Sequence, residues 1–458
     1  MMVIHGMAYS GPYVKTSWPG YQPFSYRTTE SWSPIQPAWQ HMDHILRYLG
    51  RNQHILKAGT PRIDLAMYQS SSSWSPGQIS DSENLQAQGF TYNFLGPENL
   101  QLPEAVVSDG LLAPNGPGYK TLIFLNNTQI DNDVLSKVRE FNRVGLPIFF
   151  VGEVQEQPIS SKPNETYNSA DMVNEFISRG KNIHRVSTND DLPAALARAY
   201  LTPRVQFTPM DSSILGVYRT EAKSKIDYIW LLNDGNATAS SIAEFEVDRE
   251  VLPFSLDAWT GDEQPIAHYS FSGNQVEIPL SLQPHETTII GFKPLRGLRP
   301  AYVTKTTGQV ESVGYTVDGK LYASLKGSST VTVSGRDEHV LKATVPESSS
   351  ISLWDLKIQN WRGSPNYTTS IETQITVHKF SNQSLVPWKE ISADLESFSG
   401  IGTYSASFTV PDVGNIGAYL SVGPISNTLR VWVNDHQLSP FGADNVKVEI
   451  SNYTPKQS

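Results

Sequence analysis

Cysteine is absent from the 458 residues, which excludes disulfides, thiolate metal sites and a cysteine nucleophile and leaves the redox compartment open. Charge is sparse as well. Asp, Glu, Lys and Arg make up 17% of the chain and the net charge is -10; with no long basic run, neither nucleic acid nor a membrane surface is an expected partner. Long apolar runs are also missing: those present, such as residues 122–125 and 148–151, are strand-sized and far short of a membrane span. No G-x-G-x-x-G or G-x-x-x-x-G-K-[ST] loop offers a nucleotide site, and no Gly-x-Ser-x-Gly elbow offers an esterase. His41 and His44 lie one helical turn apart without a His-Glu-x-x-His pattern around them, so they do not read as a zinc pair.

What the chain has in quantity is Pro, Gly, Ser, Thr and aromatic rings. With 39% hydrophobic residues, this describes a folded, turn-rich, largely β protein with more than one core. The aromatic residues concentrate in one place. Between His5 and Trp39 stand Tyr9, Tyr13, Trp18, Tyr21, Phe24, Tyr26, Trp32 and Trp39, interleaved with Pro12, Pro19, Pro23, Pro34 and Pro37. Flat apolar faces cost too much exposed on a flexible loop, and the prolines restrict the backbone that carries them. The stretch reads either as the ordered wall of a sugar pocket, with rings beside the polar His5, Lys15, Arg27 and Glu30, or as an aromatic plug between domains.

The runs VIHGMAYSG, WPGYQPF, ESWSPIQPAW and RYLGRNQHILKAGTPRIDLAMY, followed by GFTYNFLGPENL and GPGYKTLIFLNN, resemble in order glycoside hydrolase family 106, the α-L-rhamnosidase-like enzymes. The match falls where the catalytic barrel of that family closes and the next domain begins. It implies the C-terminal portion of a fungal-type secreted member, with most of a (β/α)8 barrel ahead of it. It implies too an inverting hydrolase that cuts rhamnosyl units from plant polysaccharides or glycosides. The two glutamates of that chemistry lie on barrel strands upstream of the match, so the catalytic residues are not identified here. No cofactor is read from the residues; calcium enters only through the resemblance, without identifiable ligands. The chain by itself is expected to be inactive, and a non-catalytic carbohydrate-binding or remnant protein is the alternative.

The fold class that follows is multidomain, α/β plus all-β. Residues 1–59 read as the terminal βα unit of a (β/α)8 barrel: a short strand, the aromatic loop, then a helix carrying Met42, Ile45, Leu46, Leu49, Ile55 and Leu56 and ended by Gly59 and Pro61. Residues 60–203 alternate short apolar strands with three helical stripes: Val134, Leu135, Val138 and Phe141; Met172, Val173, Phe176 and Ile177; and Leu192, Ala195, Leu196 and Ala199, the last capped by Asn189. This is a flavodoxin- or amidotransferase-like α/β domain. Residues 204–299 read as a β-sandwich, 300–348 as a β linker or insert, and 349–458 as a galactose-binding-like jelly roll, possibly truncated.

In a barrel the loop after each strand faces the catalytic mouth, so the substrate-binding candidates are His5, Tyr9, Trp18, Glu30 and Trp32. His5, just before Gly6, suits a sugar-hydroxyl contact or a satisfied core position; Glu30 suits a substrate contact or a solvent-exposed carboxylate. Asp64 and Glu153 sit at strand ends of the α/β region, where hydrogen bonding within the fold competes with a ligand role. Asn126, Asn164, Asn236, Asn366, Asn382 and Asn452 stand in N-x-Ser/Thr triplets, as in a secreted glycoprotein, although residues 1–10 carry no signal-peptide pattern. The first βα unit has few partners without the other strands of a barrel. Residues 1–58 expressed alone should therefore show little amide-exchange protection; strong protection would mean that they fold unaided.

Overall fold

The computed structural model describes residues 37–70, 82–125, 130–153, 158–159, 167–316, 318–335, 338–345, 347–362, 374–409, 417–423, 428–439, 446–450 and 453. The strand expected at residues 2–5 lies outside them. The architecture is mixed and sheet-rich, with several sheets and few helices. Two compact units emerge: one is His54–Asp257 with Asp262–Leu341, the other Met1–Gln53 with Ala258–Gly261 and Lys342–Ser458.

The helix expected after the aromatic stretch forms as α1 (Met42–Lys57), entered through a 3-10 turn at Pro37–His41. Met42 and Ile55 are buried, whereas Leu46 is 52% exposed. No described element covers it.

In the larger unit, β1 (Thr60–Arg62) pairs with a strand far along the chain, and β2 (Leu65–Tyr68) then opens a parallel sheet. Next come α2 (Ser82–Ala87), β3 (Tyr92–Leu95), β4 (Thr121–Phe124), α3 (Asn132–Arg143), β5 (Ile148–Val151), α4 (Ser169–Arg179), β6 (Ile183–Val186) and α5 (Leu192–Arg198). The sheet runs β6-β5-β4-β2-β3 with every pairing parallel. Strands β2, β4 and β5 are buried along their whole length, because helices cover both faces of a sheet joined by crossovers.

Side chains alternate between those faces with period two. Ala66, Tyr68, Leu122, Phe124, Ile148 and Phe150 pack with Val134, Leu135, Val138 and Phe141 of α3 and with Val173 and Phe176 of α4. Leu65, Met67, Ile123, Phe149, Val151 and Val186 pack with Leu85, Phe90, Leu192, Ala195 and Leu196 on the other side. Each helical stripe thus finds one face. The start of the last helix differs from the expectation: Asn189 opens a 3-10 turn, Asn189–Asp191, and Asp191 is the residue that precedes α5. The Asp191 side chain accepts from Thr188 Oγ1 at 2.8 Å and makes no capping hydrogen bond to the helix.

Two antiparallel sheets follow, from β7 (Val205–Thr208), β8 (Ile214–Glu221), β9 (Ile226–Asn233), β10 (Ala239–Glu246), β11 (Val251–Leu256), β12 (Glu263–Pro265), β13 (Ser270–Ser272), β14 (Gln275–Leu282) and β15 (Thr287–Pro294). One sheet is ordered β1-β8-β9-β15-β11-β12, the other β7-β10-β14-β13. Inward residues of both, among them Leu231, Phe245, Val276 and Phe292, share one core, with Phe245 and Phe292 centroids 5.1 Å apart. Asn233 is fully buried at the end of β9. Its Nδ2 donates to the carbonyls of Ala237, Leu282 and Gln283 at 2.8, 3.0 and 3.0 Å, and its Oδ1 accepts from the Gly235 amide at 2.9 Å. The Asn-Asp-Gly turn is thereby tied to the neighbouring strand.

Residues 302–345 form a sheet of β16 (Val303–Tyr315), β17 (Leu321–Val333) and β18 (Glu338–Leu341). Register shifts interrupt the β16–β17 pairing three times. Such bulges bend a strand, and β16 curls until the Tyr315 hydroxyl donates to the carbonyl of Ala301 at 2.9 Å.

The smaller unit holds α1 up to Gln53, the turn Ala258–Gly261 and the C-terminal strands. Tyr48 stacks on Trp259 at 4.1 Å, and Arg51 donates to the carbonyls of Ala258 and Trp259 at 3.0 and 2.5 Å. A three-stranded sheet pairs β20 (Gln374–Gln383), β19 (Trp354–Arg362) and β21 (Gly400–Ser405), in that order across the sheet. Gly400 has no substitute here, since a Cβ would stand 1.7 Å from the Gln359 carbonyl oxygen. Beyond it, β22 (Tyr419–Val422) pairs with β23 (Val446–Glu449), and the V-N-D turn joins Trp432–Val433 to His436–Gln437 with Asn434 and Asp435 both at positive φ. That geometry is the one a tight hairpin demands.

Phe245 makes the sharpest test of the core between the two antiparallel sheets. Phe245→Ala should cost about 3–5 kcal/mol by leaving a cavity between the sheets, read as a lowered urea midpoint for the transition that unfolds this unit.

Candidate functional site

The sequence-derived substrate-binding residues His5, Tyr9, Trp18, Glu30 and Trp32 lie outside the described residues. What the structure does describe is the end of that stretch and its attachment. Trp39, in the 3-10 turn, is 38% exposed. Beside it, Arg430 Nη2 donates to the Gln40 carbonyl at 2.6 Å and to Asp43 Oδ1 at 3.0 Å. Asp43 Oδ2 also faces His44 Nε2 at 3.6 Å and Arg47 at 4.0 Å. An acidic residue in the first turn of α1 suits the positive end of the helix, and Arg430 clamps that turn from the C-terminal β region.

His41 sits inside this cluster, its buried Nδ1 without a hydrogen-bond partner among the described residues, as is Arg430 Nε. Burial lowers the His41 pKa below the ordinary histidine value, and the Arg430 charge lowers it further. The ring is held neutral. Sequence reasoning named His41 and His44 but had no means of finding their partner, because Arg430 lies almost four hundred residues away in the chain. Among the described residues no group of three or more His, Cys, Asp or Glu stands where it could hold a metal ion. The described residues thus supply no ligand set for the calcium implied by the resemblance.

In the larger unit the two strand-end carboxylates separate. Glu153 follows β5 at its carboxyl end and is exposed. Asp64 instead precedes β2, at the amino end of the parallel sheet, and is 1% exposed. Its Oδ2 accepts from Thr91 N at 3.1 Å and Thr91 Oγ1 at 2.9 Å; its Oδ1 accepts from Arg204 N at 3.1 Å and Arg204 Nη1 at 3.0 Å. Arg204 Nη2 continues to the Gly118 carbonyl at 2.6 Å. A carboxylate with four donors in place has no capacity left for chemistry. Asp64 is a structural pin.

A second network lies around β1, where Arg62 Nε donates to Thr220 Oγ1 at 3.4 Å. Arg62 Nη1 donates to the carbonyls of Pro114 and Gly116, both at 2.8 Å. Thr220 Oγ1 donates to Asp227 Oδ1 at 2.8 Å, and Arg249 Nη2 reaches Asp227 Oδ2 at 2.5 Å. Burial pushes the Asp227 carboxyl up, while Thr220 and Arg249 pull it back. Among the glycosylation candidates, Asn236 and Asn382 are described and exposed; Asn126, Asn164, Asn366 and Asn452 lie outside the described residues. No helix among the described residues is long and apolar enough to cross a membrane.

Comparison with known proteins sets the class first: residues 2–270 match a glycoside hydrolase family model. The family is glycoside hydrolase family 106, alpha-L-rhamnosidase, and the chain belongs to it. Among solved structures, the rhamnosidase from Novosphingobium sp. PP1Y is similar at 18% identity and a TM-score of 0.59, over 92% of this chain and 36% of that one. This chain thus spans about a third of the length of that rhamnosidase. An exo-carrageenase GH42 from Bacteroides ovatus (11% identity, TM-score 0.29, 51% of this chain and 29% of that one) and alpha-L-fucosidase isoenzyme 2 from Paenibacillus thiaminolyticus (10%, 0.33, 52% and 49%) are much more distant. No curated protein matches the chain.

His41 and His268 both have pKa values lowered first by burial, from an ordinary 6.5. A depressed folded-state pKa gives stability that is fully present above the unfolded value and is lost as pH falls through the folded one. Thermal stability should therefore decline on acidification from neutral pH to about pH 5. His41→Gln and His268→Gln should each flatten part of that decline, and an unchanged pH profile in both variants would contradict it.

Proposed function

We propose that this chain serves the hydrolysis of terminal α-L-rhamnosyl units on plant polysaccharides or glycosides. The observation that carries the reading is the family match over residues 2–270, which takes in the whole aromatic stretch. In this reading residues 1–59 are the last βα unit of a (β/α)8 barrel, and the loop from His5 onward stands at its catalytic mouth. Trp18 and Trp32 stack on the apolar face of the sugar, Tyr9 completes that wall, and His5 and Glu30 hydrogen-bond its hydroxyls.

The chemistry is that of two carboxylates. One protonates the leaving oxygen while the other draws a proton from water, and the sugar inverts; a gap of about 6.5–9.5 Å between them leaves room for that water. Both carboxylates belong to barrel strands that precede the matched region. The remaining parts are read as accessory: residues 60–203 as a flavodoxin- or amidotransferase-like domain, 204–299 as a β-sandwich, 300–348 as a linking β element and 349–458 as a galactose-binding-like jelly roll. The parallel strand order, which places the first strand between the second and third, supports the flavodoxin-like reading. We place the protein outside the cell, with N-glycans at exposed sequons such as Asn236 and Asn382. The alternative reading is a non-catalytic carbohydrate-binding chain.

Turnover of 4-nitrophenyl α-L-rhamnopyranoside by the natural protein distinguishes the two. Trp18→Ala and Trp32→Ala should raise KM by roughly tenfold each, the loss of about 1–1.5 kcal/mol of ring contact. His5→Ala should lower kcat as well. Unchanged kinetics in all three would make the loop a packing element, and no turnover by the natural protein would favour sugar binding alone.

A further inference from the structure

A crevice of about 360 Å³ opens in the larger unit where α2 and the start of β3 meet β7, β8 and β9, and Gln86, Phe90, Tyr92, Arg204 and Tyr218 are among its lining residues, with Asp64 at its floor. It lies at the amino ends of β2 and β3, since Asp64 and Thr91 each precede their strand. Gly89 holds the α2–β3 connection against β7: it takes φ +90°, and a Cβ there would stand 1.9 Å from the Val205 carbonyl oxygen. No larger residue permits that approach.

The lining has two characters. At the polar end, Asp64 and Arg204 neutralise each other, and every acceptor position of the carboxylate is taken, so the crevice presents no uncompensated charge to a ligand. The Gln86 amide and the Tyr92 and Tyr218 hydroxyls make no hydrogen bond to any described residue, and Arg204 uses Nη1 and Nη2 but not Nε. Burial raises the Tyr218 pKa well above the ordinary tyrosine value, which keeps its hydroxyl a donor. Elsewhere the walls are apolar, with the rings of Phe90, Tyr92 and Tyr218.

Neutral walls, unused hydroxyl and amide groups and apolar ring faces suit a compact uncharged molecule with one apolar face and a rim of hydroxyls. We infer that this crevice is a monosaccharide-binding site, separate from the aromatic loop and taking no part in bond cleavage. An anion is poorly matched, because Arg204, the guanidinium among the described lining residues, is already paired with Asp64. A purely apolar ligand would strand the Gln86, Tyr92 and Tyr218 polar groups.

The site is tested by amide hydrogen exchange on the full chain with millimolar L-rhamnose and, separately, D-galactose. Bound sugar should slow exchange in the segments around residues 84–92 and 214–218. That protection should persist in Trp18→Ala and be lost in the Gln86→Ala/Tyr218→Phe double variant, whose exchange without sugar reports whether it is folded. Gln86→Ala alone, at a half-buried position in a short helix, should weaken the protection in a background that keeps every buried ring. Protection with either sugar supports the site. No protection with either one at saturation, or protection that survives the double variant, overturns it. Rhamnoside hydrolysis is measured separately, on the natural protein, and is independent: sugar protection here together with no turnover there sinks the hydrolase reading and leaves this one standing.

Discussion

The larger unit depends on the buried pair of Asp64 and Arg204. Removing two charges from water is expensive, and only a full set of hydrogen bonds makes such a pair tolerable. Here the carboxylate's set is complete. Asp64 opens the parallel sheet and Arg204 stands one residue before β7, so the pair fixes the first parallel strand against the first strand of the four-stranded antiparallel sheet. Thr91 brings in β3 and Gly118 the loop before β4. Apolar packing alone, being non-directional, would let these layers slide; a fork of fixed donors does not. Arg62, with its grip on Pro114 and Gly116, repeats the device a few residues away.

Much of the α/β region was legible in the sequence, because each stripe of α3, α4 and α5 meets one local demand, a sheet face. Val134, Val138 and Phe141 could be read as one side of a helix before anything was known of what they touch. Strand order could not be read, since nothing local to residues 65–68 says that β3 and β4 flank them. The curled β16–β17 pair was legible only as strand-like runs. Its Ser, Thr and Gly residues give weak contrast, and three register shifts break the period-two pattern that would reveal it.

Asp64 shows a finer limit. Its place beside a strand was evident, and hydrogen bonding within the fold was one of two open readings. Its partner is 140 residues away, however, and no spacing rule reaches that far. Asn189 failed for the opposite reason. Two acidic residues follow it, and the chain inserts a 3-10 turn that puts Asp191, not Asn189, immediately before α5. At the aromatic stretch the sequence carried a pattern of rings and prolines together with the family, whose model covers it; the fixed reference point beside it is the Arg430 clamp on the first turn of α1.

One pairing bears on how the chain is made. Thr60–Arg62 forms the edge of the six-stranded sheet against Tyr218, Arg219 and Thr220, so the whole parallel sheet is threaded between two neighbours of one antiparallel sheet. During synthesis β1 emerges long before the strand it pairs with and must wait unpaired while the α/β layer collapses. The ribosome thus delivers the antiparallel sheet in two instalments, and its edge closes only when the growing polypeptide has passed residue 221. A protein divided at the end of α5 would leave that edge on the wrong piece.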